Sequence, residues 1–176
     1  VLPPIKPRRT EEQIKRECPW ATIGRTMERE PNILTSLELK PEVMETRNKA
    51  LQEKYRKIKE TEVKYETQRC DDADYLIVAF GSAARIAEKS VELAREQGIN
   101  VGLFRPITLW PFPEEALKAM ATKVKGMLVA EINAGQMVED VRLAVDGAIP
   151  VEHFGRLGGI VPEPEEIVQA LITKLL

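Results

Sequence analysis

The sequence predicts a three-layer α/β/α fold with a mainly parallel sheet over residues 71–176, preceded by an extended tract and a long charged helix. Two observations carry that prediction. Short, continuous apolar runs recur along the second half, each ending at a glycine or a polar turn. Between them lie segments whose apolar residues return with the 3.6-residue period of a helix. Strands without polar alternation are buried on both faces, and strand–helix–strand repeats of this spacing are parallel βα units with helices on both sides.

In chain order, Tyr75-Leu76-Ile77-Val78-Ala79-Phe80 reads as the first strand, ending at Gly81-Ser82. A helix follows over about residues 83–97, with Ile86, Ala87, Val91, Leu93 and Ala94 on one face and Gly98 as its stop. Val101-Gly102-Leu103-Phe104 is the second strand, and Pro113-Glu114-Glu115 opens the next helix. Met127-Leu128-Val129-Ala130 is the third strand. The following helix buries Met137, Val138, Val141, Ala144 and Val145. A fourth strand, Pro150 to Phe154, ends at Gly155, and Pro164-Glu165-Glu166 opens the last helix.

The first 70 residues differ in kind. They hold 16 Lys/Arg against 12 Asp/Glu and one glycine, whereas residues 71–176 hold 10 against 16 and nine glycines. Six prolines in the first 41 residues predict an extended linker tract over 1–40. Residues 41–70 then read as a connector, helical over about 42–66. Met44, Leu51, Ile58 and Tyr65 recur every seven residues in a charged background, with Tyr55 beside them. That narrow stripe is either a docking seam for another subunit or the inner edge of a helix lying on its own domain.

Composition excludes several classes. A net charge of −2 removes strongly cationic proteins, including most non-specific nucleic-acid binders. Nowhere does the chain hold the ~18 consecutive apolar residues of a membrane span. Cys18 and Cys70 form no C-x-x-C pair, which argues against a disulfide scaffold, a zinc knuckle or an iron–sulfur cluster housed here, and fits a reducing cytoplasm. A single histidine, His153, makes a His-based metal site or a Ser–His nucleophile implausible; it reads as a packed strand residue. The chain opens Val1-Leu2-Pro3-Pro4 with neither Met nor a signal-peptide pattern, and reads as part of a longer polypeptide.

Ligands and partners of open parallel sheets meet the carboxyl ends of the strands, so four loops are candidates. Gly81 and Ser82 begin a helix, where Ser82 can cap it or the amides can hold an anion; capping is the preferred reading, since no G-x-G-x-x-G or P-loop pattern accompanies them. Arg105 begins a rigid proline-rich loop in which Trp110 and Phe112 either plug the end of their own domain or anchor a neighbouring chain, the latter preferred. Glu131, Asn133 and Gln136 surround a strand-to-helix turn. They could hold a ligand, but more simply satisfy the turn's own donors. Arg156 and Gly158 lie in a cationic, glycine-rich loop open to an acidic partner or a phosphate.

At these residues the chain resembles a known family. Tyr75–Ser82, Gly102–Pro113 (GLFRPITLWPFP), Glu131–Val141 (EINAGQMVEDV) and Phe154–Gly159 (FGRLGG) are similar to the alpha subunit of 2-oxoacid:ferredoxin oxidoreductases. The 2-oxoisovalerate type is favoured and the 2-oxoglutarate type is next. The resemblance covers about residues 41–176 and implies a transketolase C-terminal-like domain, with residues 1–40 leading out of an N-terminal domain. It also implies a complex that uses thiamine diphosphate with Mg and iron–sulfur clusters to convert a 2-oxoacid to acyl-CoA. Its implied partners are a thiamine-diphosphate-binding beta subunit, a gamma subunit, a ferredoxin-like delta subunit, ferredoxin and CoA.

No cofactor and no catalytic residue is expected in residues 1–176 themselves. The diphosphate signature Gly-Asp-Gly is missing, the nearest string being Val145-Asp146-Gly147. The expected role is therefore subunit assembly and active-site closure. Two alternatives stand beside it: a stand-alone flavodoxin-like nucleotide- or anion-binding module, and the same module in a transketolase or 2-oxoacid dehydrogenase beta chain. Pro106 and Phe112 favour the ferredoxin-linked host.

Overall fold

A computed structural model describes residues 6–18, 20–21, 33 and 35–176. The chain divides into two units, residues 1–49 and 50–176, with the boundary inside one helix.

In the first unit, residues 11–17 form helix α1 (Glu11–Glu17), where the sequence reads as an extended tract. The reason is local. Thr10-Glu11-Glu12-Gln13 is a capping box: Thr10 Oγ1 accepts from the Gln13 backbone N–H at 3.2 Å, and Gln13 Oε1 accepts from the Thr10 N–H at 2.8 Å. Proline density obscures this signature, although no proline falls between residues 8 and 18. In the rest of the 1–40 tract, the described residues 6–10, 18, 20–21, 33 and 35–40 form no helix or strand, and residues 1–5, 19, 22–32 and 34 lie outside the described residues.

Helix α2 (Pro41–Thr61) starts where proline at its first position predicts and ends earlier than expected. None of its residues is buried. Its second-unit part is laced by surface pairs from Arg56 to Glu53 and Glu60, which depress the Glu53 carboxyl through hydrogen bonding. Strand β1 (Tyr65–Gln68) replaces the expected last helical turn. The heptad stripe therefore breaks at Tyr65, whose ring stacks on the buried Phe104 at 5.1 Å.

Strands β2 (Tyr75–Val78), β3 (Val101–Pro106), β4 (Gly126–Glu131) and β5 (Val151–Gly155) alternate with helices α3 (Gly81–Glu96), α4 (Glu114–Ala121), α5 (Met137–Val145) and α6 (Pro164–Leu175). The sheet order is β1-β3-β2-β4-β5. β1 runs antiparallel to β3, and the other neighbours are parallel. The mainly parallel three-layer architecture is thus as expected, with one antiparallel edge strand added. Glu66 faces Arg105 across that edge, and their side chains pair at 3.0 Å.

Period-two alternation along the buried strands divides the core between the two faces. Leu76, Val78, Phe104, Met127 and Val129 pack with Leu117 of α4 and Met137, Val138 and Val141 of α5. Ile77, Leu103, Leu128 and Ala130 pack on the other side against α3 and α6. On α3 the contact face is mostly alanine (Ala83, Ala84, Ala87, Ala94), which lets the helix approach the sheet closely, with Val91 between. Each fully buried Leu, Ile or Phe contributes roughly 2–3 kcal/mol of burial. Gly98, with φ +80°, stops α3 as expected, and its N–H donates to the Arg95 carbonyl.

The turn between β1 and β2 is held by Arg95 near the end of α3. Its guanidinium donates to the Arg69 and Val101 carbonyls, both at 2.8 Å, and to both oxygens of Asp72. Arg95→Ala leaves those two carbonyls without this partner and is expected to cost about 2 kcal/mol in thermal or urea unfolding. The Arg95 hydrogen bonds also hold the Asp72 carboxyl below its ordinary value of about 3.9. A depressed folded-state value means this contribution is fully present above pH ~4 and fades as pH falls through the lowered value. The acid limb of a stability–pH profile should therefore flatten in Arg95→Ala.

Candidate functional site

The carboxyl ends of the parallel strands bring together one polar constellation and one aromatic cleft. The constellation is built on Glu131, the last residue of β4, which is 1% exposed. Its Oε1 accepts from the Met137 N–H at 2.9 Å, and its Oε2 from the Gln136 and Val138 N–H groups at 3.2 and 3.1 Å. Asn133 Nδ2 donates to Oε1 at 3.1 Å, while Asn133 Oδ1 accepts from the Gly135 N–H at 2.7 Å. A buried carboxylate thus caps α5 from outside the helix, at the positive end of its dipole. Of the two readings open in the sequence, turn satisfaction is what Glu131 and Asn133 do; Gln136 is exposed and contributes its backbone N–H.

Strand β5 closes on the same turn. The Arg156 N–H donates to the Glu131 carbonyl at 3.3 Å, and His153 Nε2 lies 3.7 Å from Glu131 Oε2, beyond hydrogen-bond reach. Gly155 is where the two segments touch: a Cβ there would overlap the Asn133 carbonyl oxygen and lie 2.7 Å from His153 Cε1. Space, not a left-handed backbone, demands glycine at this position. The Arg156 side chain turns to Glu166 at 3.3 Å, and Gly158 is exposed with φ +65°.

Gly81 and Ser82 lie at the end of β2, the strand beside β4. Here the expected Ser82 cap is corrected. α3 begins at Gly81, its N-cap is Phe80 in extended conformation, and no side chain caps it. The two-residue shift of the N-cap from Ser82 to Phe80 moves the Ser82 hydroxyl out of capping position.

The aromatic loop separates the two residues that the sequence groups together. Phe112 is half-buried against the core beneath α4 and α5. Trp110 is 55% exposed and meets Tyr55 edge-to-face at 5.5 Å. With Leu109 and Tyr65 they line a cleft of about 580 Å³, whose lining also includes Glu114, Glu115, Asp140 and Lys59. Burial pushes the Asp140 carboxyl up, and the charges of Glu139, Glu114 and Glu131 add to that push. Sequence reasoning missed this acidic lining. Its trace was the acidic first turns of two successive helices, each unremarkable alone. Arg105 lies outside it, paired with Glu66.

Among the described residues no group of three or more His, Cys, Asp or Glu is disposed to hold a metal ion, and no helix is long and apolar enough to cross a membrane. The donor set does not fit a magnesium diphosphate or an iron–sulfur cluster either. Glu131 has both oxygens occupied by backbone N–H groups, and only one cysteine, Cys70, lies in the 50–176 unit.

A mainly parallel sheet with one antiparallel edge and helices on both faces defines a transketolase C-terminal-like domain. Two solved structures share it: a 2-oxoglutarate:ferredoxin oxidoreductase from Magnetococcus marinus (TM-score 0.67, 22% identity, 79% of this chain and 24% of that one) and a split-gene transketolase (TM-score 0.55, 19% identity, 64% of this chain and 41% of that one). Residues 73–167 match the pyruvate:ferredoxin oxidoreductase core domain II family, and the chain belongs to that family. It is 41% identical over 152 residues to the ketoisovalerate oxidoreductase subunit VorB of Methanothermobacter thermautotrophicus, covering 86% of this chain and 43% of that protein. It is 33% identical over 135 residues to the 2-oxoglutarate synthase subunit KorA of Methanocaldococcus jannaschii, covering 77% and 36%. The resemblance to 2-oxoacid:ferredoxin oxidoreductase subunits is borne out, with the ketoisovalerate type ahead. The chain spans less than half the length of these relatives.

Proposed function

We propose that residues 50–176 are the carboxyl-terminal module of a thiamine-diphosphate-dependent 2-oxoacid:ferredoxin oxidoreductase, serving subunit assembly and active-site closure. The reaction of the whole complex converts a 2-oxoacid and CoA to acyl-CoA and carbon dioxide, passing two electrons to ferredoxin. A branched-chain 2-oxoacid such as 2-oxoisovalerate is the favoured substrate. Bound by other parts of the complex, thiamine diphosphate supplies the carbanion-stabilising chemistry and iron–sulfur clusters carry the electrons. The partners are the thiamine-diphosphate-binding beta, gamma and ferredoxin-like delta subunits, in a cytoplasm that keeps Cys18 and Cys70 reduced.

One observation carries this reading: the buried carboxylate at the strand ends, Glu131, is fully engaged by its own helix, while the separate cleft at the end of β3 is lined by exposed aromatic and acidic groups. That suits a rigid surface for neighbours better than a reaction centre. Affinity purification of the full-length protein from its native source is expected to bring down the other subunits in fixed stoichiometry. Recovery of the protein alone, at a monomer's mass, would refute the reading.

A further inference from the structure

The cleft around Trp110 is not explained by the stability of its own fold. Acidic residues at the first turns of α4 and α5 favour the helix dipoles, which accounts for Glu114, Glu115, Glu139 and Asp140 as individual choices. It does not account for Trp110 and Leu109, 55% and 45% exposed, on the proline-rich loop that lines the same cleft as Glu114, Glu115 and Asp140. Among the described residues none of Glu114, Glu115 and Asp140 has a cation within 4 Å, whereas Glu53, Glu66, Asp72 and Asp74 on the same unit all do.

Edge-to-face contact with Tyr55 uses one side of the Trp110 environment and leaves the indole substantially exposed. Three carboxylates without an ion pair against one lysine, Lys59, leave the cleft net acidic, and an acidic rim on an aromatic surface is the complement of a guanidinium, which stacks on an indole and forks to a carboxylate at once. An ammonium would satisfy only the charge. Arginine and tryptophan are also among the residues that carry most of the binding energy at protein interfaces.

We infer that the cleft bounded by Trp110, Phe112, Glu114, Glu115 and Asp140 is the docking site for an arginine-bearing segment of another subunit of the oxidoreductase. The arginine lies over Trp110 and pairs with Glu114 and Asp140, and an adjacent apolar side chain enters between Leu109 and Phe112. This rests on the reading of the chain as part of a multi-subunit complex and names the surface that reading uses.

The test places the photo-cross-linker p-benzoylphenylalanine at Leu109 in the full-length protein within its assembled complex, followed by peptide mass spectrometry. The expected product joins Leu109 to a different subunit, within three residues of an arginine. In the same complex, Glu114→Lys with Asp140→Lys should weaken retention of that subunit at least tenfold, and Arg→Glu in the cross-linked segment should restore it. Trp110→Ala, which adds no charge, serves as a second variant, its fold checked by circular dichroism, and should also weaken retention severalfold. Cross-links confined to this chain or to a second copy, cross-links to a segment without arginine, or retention unchanged in all variants would overturn the inference while leaving the complex itself standing. Failure of the unmodified protein to hold any other subunit would overturn both readings.

Discussion

Replacing Glu131 with alanine is expected to destabilise the 50–176 unit by about 3–4 kcal/mol, the largest single effect among its polar residues. The carboxylate accepts from three backbone N–H groups and from Asn133 Nδ2 in a site closed to water. Hydrogen bonds to a charged acceptor contribute roughly 1.5–3 kcal/mol each, and buried donors left behind pay their desolvation. The burial of the charge itself offsets part of that sum. For a unit of this size the loss corresponds to a melting-temperature drop on the order of 12 °C. Glu131→Gln keeps the shape but turns an amide –NH2 toward backbone donors, so it should recover less than half of the loss. Hydrogen exchange is the discriminating readout: protection should fall first at the Met137 and Val138 amides, while the α3 and α6 amides keep their order. Uniform loss of protection would mean that Glu131 is simply a core residue.

Gly155→Ala is expected to cost about 3 kcal/mol, by a different route. The added methyl meets the Asn133 backbone oxygen and the His153 ring, and backbone cannot step aside as a flexible side-chain end can. Relief requires β5 to move from β4 or the β4–α5 turn to open, and either breaks the Arg156 N–H bond to the Glu131 carbonyl. Chemical-shift changes should therefore centre on Asn133, His153 and Arg156. Gly147→Ala is the useful contrast: its Cβ would meet nothing within 4 Å, so only the φ of +72° is strained. That variant should cost about 1 kcal/mol and leave the β4–β5 contact unperturbed. Equal effects of the two would contradict the steric argument.

The parallel sheet was legible because both faces of its strands are buried, which removes polar residues and leaves runs such as Leu76-Ile77-Val78 and Leu128-Val129-Ala130 with no alternative use. Strand β1 was not legible. Tyr65-Glu66-Thr67-Gln68 is exposed throughout and continues a seven-residue spacing, so only its pairing with Leu103–Pro106 makes it a strand. Local periodicity cannot report a partner almost forty residues away. Helix α1 was missed for the opposite reason: its capping box is local, but neighbouring prolines masked it.

At the site, the chemistry of Glu131 was half legible. A carboxylate at a strand end followed by Asn133 and Gln136 signals a polar turn, but total burial of that carboxylate depends on β5 closing over it. The shift of α3 by two residues shows how weakly a Gly-Ser pair fixes a helix start when the preceding residue is extended anyway. The acidic cleft was illegible because its walls come from α2, β1, α4 and α5 together.

The decisive measurement is ferredoxin reduction driven by 2-oxoisovalerate, with CoA, thiamine diphosphate and Mg supplied, by the 176-residue chain and by the complete complex side by side. The complex is expected to turn over and the chain alone is not. Turnover by the chain on its own would contradict the proposed function, because a module that supports its neighbours cannot perform their chemistry.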